Sequence, residues 1–276
     1  MPVRTFSALL ILCCLTISLT SNSALQHTTF DHGYAKYHRL LRKHVVMTRV
    51  NYTTLKQERS TLNEVVQAFS HATESDFTRW STPRQLAFLI NAYNIFTLQA
   101  IVDHYPIERR WFDFWNPANS IKQISGVWST FRWQLAGSQM SLDDIEHNVI
   151  RRNYAEPRIH FALNCASISC PPLKSVPYVD VRLEQQLTLA ARDFLASDEG
   201  IRVEGDYLYV SRLFDWYGDD FVADYDNLVE VPGTARDRAI AGIVAKYGPS
   251  EASQVAQSGR AHIRFLPYDW SLNDRH

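Results

Sequence analysis

Two thiols five residues apart raise the question of chemistry. In "RIHFALNCASISCPP" (158–172), Cys165 and Cys170 stand among His160, Asn164 and two serines; the only other cysteines are Cys13 and Cys14. A cysteine at a strand-to-loop junction can be exposed, and neighbouring backbone N–H groups there stabilise a thiolate or an oxyanion. Such a nucleophile needs a base within hydrogen-bond reach and a third group to orient that base. His147, in the segment before, is free to approach, with Glu146 or Asn91 to orient its ring. His160 is the alternate base, up to ~16 Å from Cys165 along an extended chain. The expected catalytic set is therefore Cys165 as nucleophile, His147 with His160 as alternate, and Glu146 and Asn91 in support. The chemistry would be thiol-dependent hydrolysis or acyl transfer. Asn94, Asn164 and Asp220 are expected to line the pocket.

The same residues admit other readings. With Cys165 and Cys170 bonded to each other and Glu146 paired with a cation such as Arg158, the protein would be a non-catalytic periplasmic binding or scaffold module, its tryptophan-rich strands forming the partner surface. Glu146, His147, His160 and Asp143 are of metal-ligating type, but no helical His-x-x-x-His spacing or cysteine quartet supports a metal site. A C-x4-C pair also lacks the C-x-x-C spacing of redox dithiols. No cofactor is expected. The partner would be an unknown small-molecule or peptide ligand.

The elements that must position these groups have clear signals. In "MSLDDIEHNVIRRNY", Ser141 caps a helix and Asp144 completes the capping box. At about 100° per residue, Ile145, Val149, Leu142, Glu146 and Ile150 share one arc. A carboxylate at the centre of an apolar face breaks the pattern: it must find a cation, stay protonated or line a wet cleft. "STPRQLAFLINAYNIFTLQAIVDHYP" predicts a helix apolar on nearly all sides, with Thr82 as cap, Gln85 completing a box and Pro106 stopping it. Asn91 and Asn94 then sit one turn apart in apolar surroundings, where buried amides need partners. "RIHFALN" alternates and predicts a strand.

Elsewhere, "FDHGYAKYHRLLRKHV" predicts a helix, followed by a second from about Leu55 to Ala72. "GVWSTFRWQLAGSQM" predicts a strand pair turning at Ala136 to Ser138. "LEQQLTLAARDFLAS" predicts an amphipathic helix, "IRVEGDYLYVSRLF" a hairpin around Gly205, and 234–247 a late helix. This order does not alternate strand with helix regularly. It fits an α+β fold: one mixed domain with a buried central helix, a small antiparallel sheet and surrounding helices.

The 276 residues are 46% apolar and 21% charged, with a net charge of −1, so electrostatic capture of nucleic acid or of an anionic membrane is not indicated. Arg4, the apolar run "FSALLILCCLTISL" and the small residues of "TSNSA" read as a signal peptide over 1–24. Residues 25–276 would then be one exported domain, periplasmic or secreted. That compartment permits disulfides, and no stable membrane insertion is expected after cleavage.

"QLAFLINAYNIFTL", "SLDDIEH", "PRIHFALNCASISCPPL", "LYVSRLFDWYGDDF" and "YDWSLN" together resemble the domain of unknown function 547 family, in the same order, from about Tyr34 to Asn273. The resemblance implies that Asn91, Asn94, Glu146, His147, His160, Asn164, Cys165, Cys170 and Asp220 match positions in that family's motifs. It implies no activity. Members of the family also occur fused to other domains inside cells.

Overall fold

The computed structural model describes residues 30–275; the expected signal segment, 1–24, lies outside them. The chain is organised around the helix Thr82–His104, buried almost without a break from Leu86 to Val102. Its length and apolarity would suffice to cross a membrane, but it is enclosed by the protein. Its start differs from expectation. Ser81, not Thr82, holds the N-cap position, and no side chain caps it. Gln85 instead donates to the Phe77 carbonyl (2.8 Å) and accepts from the Tyr154 hydroxyl (3.1 Å). Pro83, in the first turn, supplies a helical φ where no N–H is needed.

The helix Arg59–Ser70 lays Leu62, Val65 and Phe69 against this axis. The single helix expected from Leu55 to Ala72 is two, Tyr52–Gln57 and Arg59–Ser70, broken at Glu58. Trp133–Leu135 and Ser138–Met140 form the expected hairpin, while 126–130 is turns. Trp133 stacks face to face on Phe96 at 5.1 Å, so this tryptophan is core packing.

A second apolar cluster lies beside the first. It joins the amphipathic helix Leu183–Leu195, the helix Ala235–Tyr247 and a three-stranded sheet. The hairpin Ile201–Glu204 and Tyr207–Val210 gains His262–Phe265 as a third strand, parallel to its second. This strand and the helix Ser250–Gln257 lie beyond the predicted late helix, in a stretch to which no element was assigned. The fold is α+β.

One segment touches both clusters. Ile159, Ala162 and Leu163 pack in the first, while Phe161 meets Phe194, Phe214 and Phe221 in the second. This is "RIHFALN", and it is not a strand. Pro157–Phe161 is a 3-10 helix, with Ala162 and Leu163 N–H both bonding the Ile159 carbonyl. The alternation misleads because every residue from Pro157 to Asn164 is buried, so a two-sided pattern carries no information about which side faces in. Arg158, beside it, is bonded to both Glu156 and Glu184. The cation expected to neutralise Glu146 is thus committed elsewhere.

Candidate active site

The loop after that 3-10 helix is held from behind by two buried amides. Asn94 on the central helix donates to the Ala162 carbonyl (2.9 Å) and accepts from the Asn164 N–H (2.8 Å). Asn164 in turn donates to the Pro171 carbonyl (2.8 Å) and accepts from the Ala166 N–H (3.1 Å). Each amide uses both of its ends on backbone, as buried amides must. Together they fix the chain on either side of Cys165 and Cys170. Ala166 is forced to φ 62°, in the left-handed region that favours glycine; a non-glycine residue persists there only where its surroundings over-determine it. Asn94 and Asn164 therefore shape the loop from beneath and do not line the cavity. Asn91 is farther from the chemistry expected of it: both amide ends are spent on the Tyr178 backbone, at 2.7 and 3.0 Å.

Cys165 is partly exposed and Cys170 buried, both as free thiols, which differs from the bonded pair of the scaffold reading. The Cys165 N–H points at the Cys170 sulfur (2.8 Å). The Cys165 sulfur lies 3.3 Å from both the Ser167 and the Tyr268 hydroxyls, themselves 2.8 Å apart. This is a nest of donors around one sulfur. The Cys170 thiol, the Ser167 and Tyr268 hydroxyls and the Ser167 N–H, outweighing burial, lower the Cys165 thiol to about 7. Burial and the neighbouring Cys165 push Cys170 well above its ordinary value. One sulfur of the pair is thus prepared to be the anion and the other to keep its proton.

Tyr268 reaches this place on the segment that follows the third strand. Ile168 N–H bonds the Ser271 carbonyl, Asn273 N–H the Ala166 carbonyl, and Val50 N–H the Asn273 carbonyl. The segment is clasped between the cysteine loop and the N-terminal hairpin, and it brings Trp270 to the cavity alongside Tyr268.

The cavity has a volume of about 590 Å³, and its lining includes Cys165, Glu146, His147, His160 and aromatic rings. Glu146 arrives on a helix that is wider than expected: Asp144–Ile150 is π-helical, with the Arg151 N–H reaching the Glu146 carbonyl. The capping box between Ser141 and Asp144 forms as predicted. Single π turns recur at functional sites because they turn a side chain out of α register. Glu146 is 7% exposed, and its neighbours are phenols. Burial raises the Tyr217 hydroxyl far above its ordinary range, and the adjacent Glu146 carboxylate raises it further. Tyr93 is raised in the same way, by burial first and then by Glu146 and Cys165. Both phenols therefore keep their protons under the influence of the carboxylate and the sulfur.

The two histidines differ in their partners. His147 Nδ1 is 3.1 Å from Arg151 Nη1, and a guanidinium can only donate. That nitrogen's lone pair is engaged, and Nε2 faces Asp143 at 3.8 Å. His147, preferred as base from sequence, is poorly placed to accept a proton. His160 is better placed. Its Nε2 is 2.8 Å from Asp220 Oδ2, so Nε2 carries the hydrogen, leaving Nδ1 as the lone-pair nitrogen of a ring that lines the cavity. The ring stacks on Tyr217 at 4.2 Å. Asp220 is itself gripped by Arg151 Nε and Nη2, at 2.7 and 2.8 Å. His160 and Arg151 outweigh burial and hold its carboxyl well below the usual range. Asp220 is a positioning group behind His160, not a lining residue. Among the described residues, no cluster of three or more His, Cys, Asp or Glu could hold a metal ion.

Tyr93, Tyr217, Tyr268 and Ser167 were missed as site residues. The first three lie inside "NAYN", "DWYGDD" and "YDWSLN", so their place in the motifs was the available signal.

The lowered thiol sets a pH dependence. Because the folded value lies below the ordinary 9, the thiolate is populated above about pH 7 and lost as pH falls through it. Alkylation of the full chain by iodoacetamide is expected to follow that curve. Tyr268→Phe, which removes one donor to the anion, should move the midpoint up by about one unit. An unmoved midpoint would show that the Tyr268 hydroxyl does not serve the sulfur.

The fold is α+β, and its cavity is lined both by a thiol lowered by its hydrogen-bond donors and by a histidine held by Asp220. The family model described as "Protein of unknown function, DUF547", the family its motifs resemble, matches residues 77–195. That span takes in the central helix, Glu146, both histidines and both cysteines, while Asp220 and Tyr268 lie beyond it. No curated protein and no solved structure matches the chain.

Proposed function

We propose that this is an exported thiol-dependent hydrolase or acyl transferase with Cys165 as nucleophile and His160 as acid–base. The observation that carries the reading is the donor nest that lowers the Cys165 thiol to about 7 in a cavity shared with His160 and Glu146. The sulfur attacks an acyl carbonyl, forming a C–S bond, and its proton passes to His160 Nδ1. The leaving group departs with that proton as its bond to carbon breaks. Water or another acceptor then attacks the thioester, giving its proton to Nδ1, and the C–S bond breaks as that proton returns to the sulfur. Asp220 keeps the ring in the tautomer this needs. Glu146, Tyr93 and Tyr217 supply a carboxylate and two hydroxyls to orient a polar substrate group.

Intact mass spectrometry of the full chain, quenched in acid after mixing with activated thioesters of increasing chain length, tests this. One acyl group on Cys165 is expected, and His160→Ala should slow turnover by roughly 10²–10⁴-fold, the usual share of general acid–base catalysis. Acyl groups found only on other residues, or none across the series, would sink the proposal.

A further inference from the structure

The cavity holds a buried carboxylate that no cation answers. Glu146 lines it at 7% exposure, and among the described residues no cation forms an ion pair with this side chain. The cationic groups around it are spent elsewhere. Arg151 lies within the carboxylate's field but grips Asp220 with Nε and Nη2, at 2.7 and 2.8 Å. His147 accepts from Arg151 on Nδ1 and turns Nε2 toward Asp143. The Tyr217 hydroxyl can donate to Glu146, but it is neutral and leaves the charge in place. Asp143 lines the same cavity, so the lining carries two carboxylates against one ammonium, that of Lys122. A charge taken out of water without a counter-charge is costly, and here the counter-charge has room to arrive from outside.

Another part of the lining is aromatic. Trp216, Tyr268 and Trp270 pack on one another with centroids 4.5–5.6 Å apart, and all three line the cavity. Ring faces attract cations, and one is already held in this way: the Lys122 ammonium lies 4.4 Å from the Trp270 centroid. An anion gains nothing from such faces and is repelled by Glu146 and Asp143. A neutral ligand leaves the Glu146 charge unanswered. We propose that the cavity binds a protonated amine, its ammonium paired with the Glu146 carboxylate and its alkyl part against the Trp216, Tyr268 and Trp270 rings. As a statement about the acyl substrate, which then carries an amino group, this rests on the thiol chemistry proposed above; as a statement about binding it does not. A bound ammonium also relieves the repulsion between the Glu146 carboxylate and the Cys165 thiolate.

Titration of the full chain with n-butylammonium, n-butanol and n-butyrate near neutral pH, read by tryptophan fluorescence and by calorimetry, tests the site. n-Butylammonium is expected to bind at least about tenfold more tightly than the other two, which cannot give the carboxylate a charge-assisted hydrogen bond. Glu146→Gln keeps the shape of the side chain and should weaken n-butylammonium by a similar factor. Should that variant fail to fold, the comparison of the three ligands on the wild type decides alone. Butylammonium that binds no better than butanol, or binds folded Glu146→Gln as well as the wild type, overturns the proposal. Tighter binding of n-butyrate would place recognition at Lys122 and overturn it too. The two readings fail separately. Acylation of Cys165 at equal rates by 6-aminohexanoyl and heptanoyl thioesters leaves the thiol chemistry standing and overturns the amine. Selective binding of n-butylammonium with no acylation by either thioester sinks the thiol chemistry and keeps the amine site.

Discussion

Replacing Cys165 with serine is expected to abolish alkylation at neutral pH and acyl transfer together, while stability changes by less than about 1 kcal/mol, as for a near-isosteric change at a partly exposed site. The alkylation effect should be the largest of any single substitution. At pH 7 a thiol titrating near 7 is about half thiolate, whereas one held well above 9, as Cys170 is, is thiolate to about 1% or less. Cys170 is also buried. The serine variant should therefore react at least roughly a hundredfold more slowly with iodoacetamide, and peptide mapping of the wild type should place the single fast adduct on Cys165. A fast adduct on Cys170 would reverse the assignment of the two sulfurs. Cys170→Ala separates their roles further. It removes the thiol that contributes most to stabilising the anion, so it should raise the Cys165 midpoint and leave a slower, still acylatable nucleophile.

The largest stability effect is expected at Asn94, and a matched partner makes it diagnostic. Asn94→Ala leaves the Ala162 carbonyl and the Asn164 N–H without partners, at about 1–3 kcal/mol each, for a total of about 3 kcal/mol by urea denaturation. Asn91→Ala leaves the Tyr178 carbonyl and N–H in the same condition and should cost a similar amount. The two differ in what they release. Losing Asn94 frees the backbone that carries Cys165, so the thiol should titrate closer to its ordinary value and alkylation at pH 7 should fall. Losing Asn91 loosens the Tyr178 segment and should leave the thiol midpoint where it is. Equal effects of both on the midpoint would mean that the donor nest depends on overall stability and not on the Asn94 bracket.

The parts of this fold legible in sequence were those fixed by local composition. The central helix is apolar on nearly every side, so burial was its only outcome. The Ser141 box and the hairpins at Gly137 and Gly205 follow from capping and turn residues, and the late helix over 234–247 was placed as well. Glu146 stood out because a carboxylate on an apolar arc has few permitted environments. The 157–164 segment was misread because an all-buried 3-10 stretch shows the same apolar alternation as a half-buried strand. The π register of Asp144–Ile150 left no mark in the spacing. The choice between His147 and His160 was out of reach, because it is made by Arg151 on one ring and by Asp220, sixty residues along, on the other. Tyr268 is more distant still, 103 residues from the sulfur it contacts. Where the site rests on such pairings, local patterns carry no trace of them.

The segment around Tyr268 also ties reactivity to the timing of synthesis. While the ribosome has made only as far as the cysteine loop, Cys165 has neither the phenol nor the Ser271 and Asn273 backbone that hold its loop in place. It is then an ordinary thiol with an ordinary proton. Only when residues 268–274 have emerged and slotted between Val50 and Ala166 does the sulfur acquire its full set of donors. The nascent chain therefore carries an unremarkable sulfhydryl, and its lowered titration is acquired only on completion of the fold.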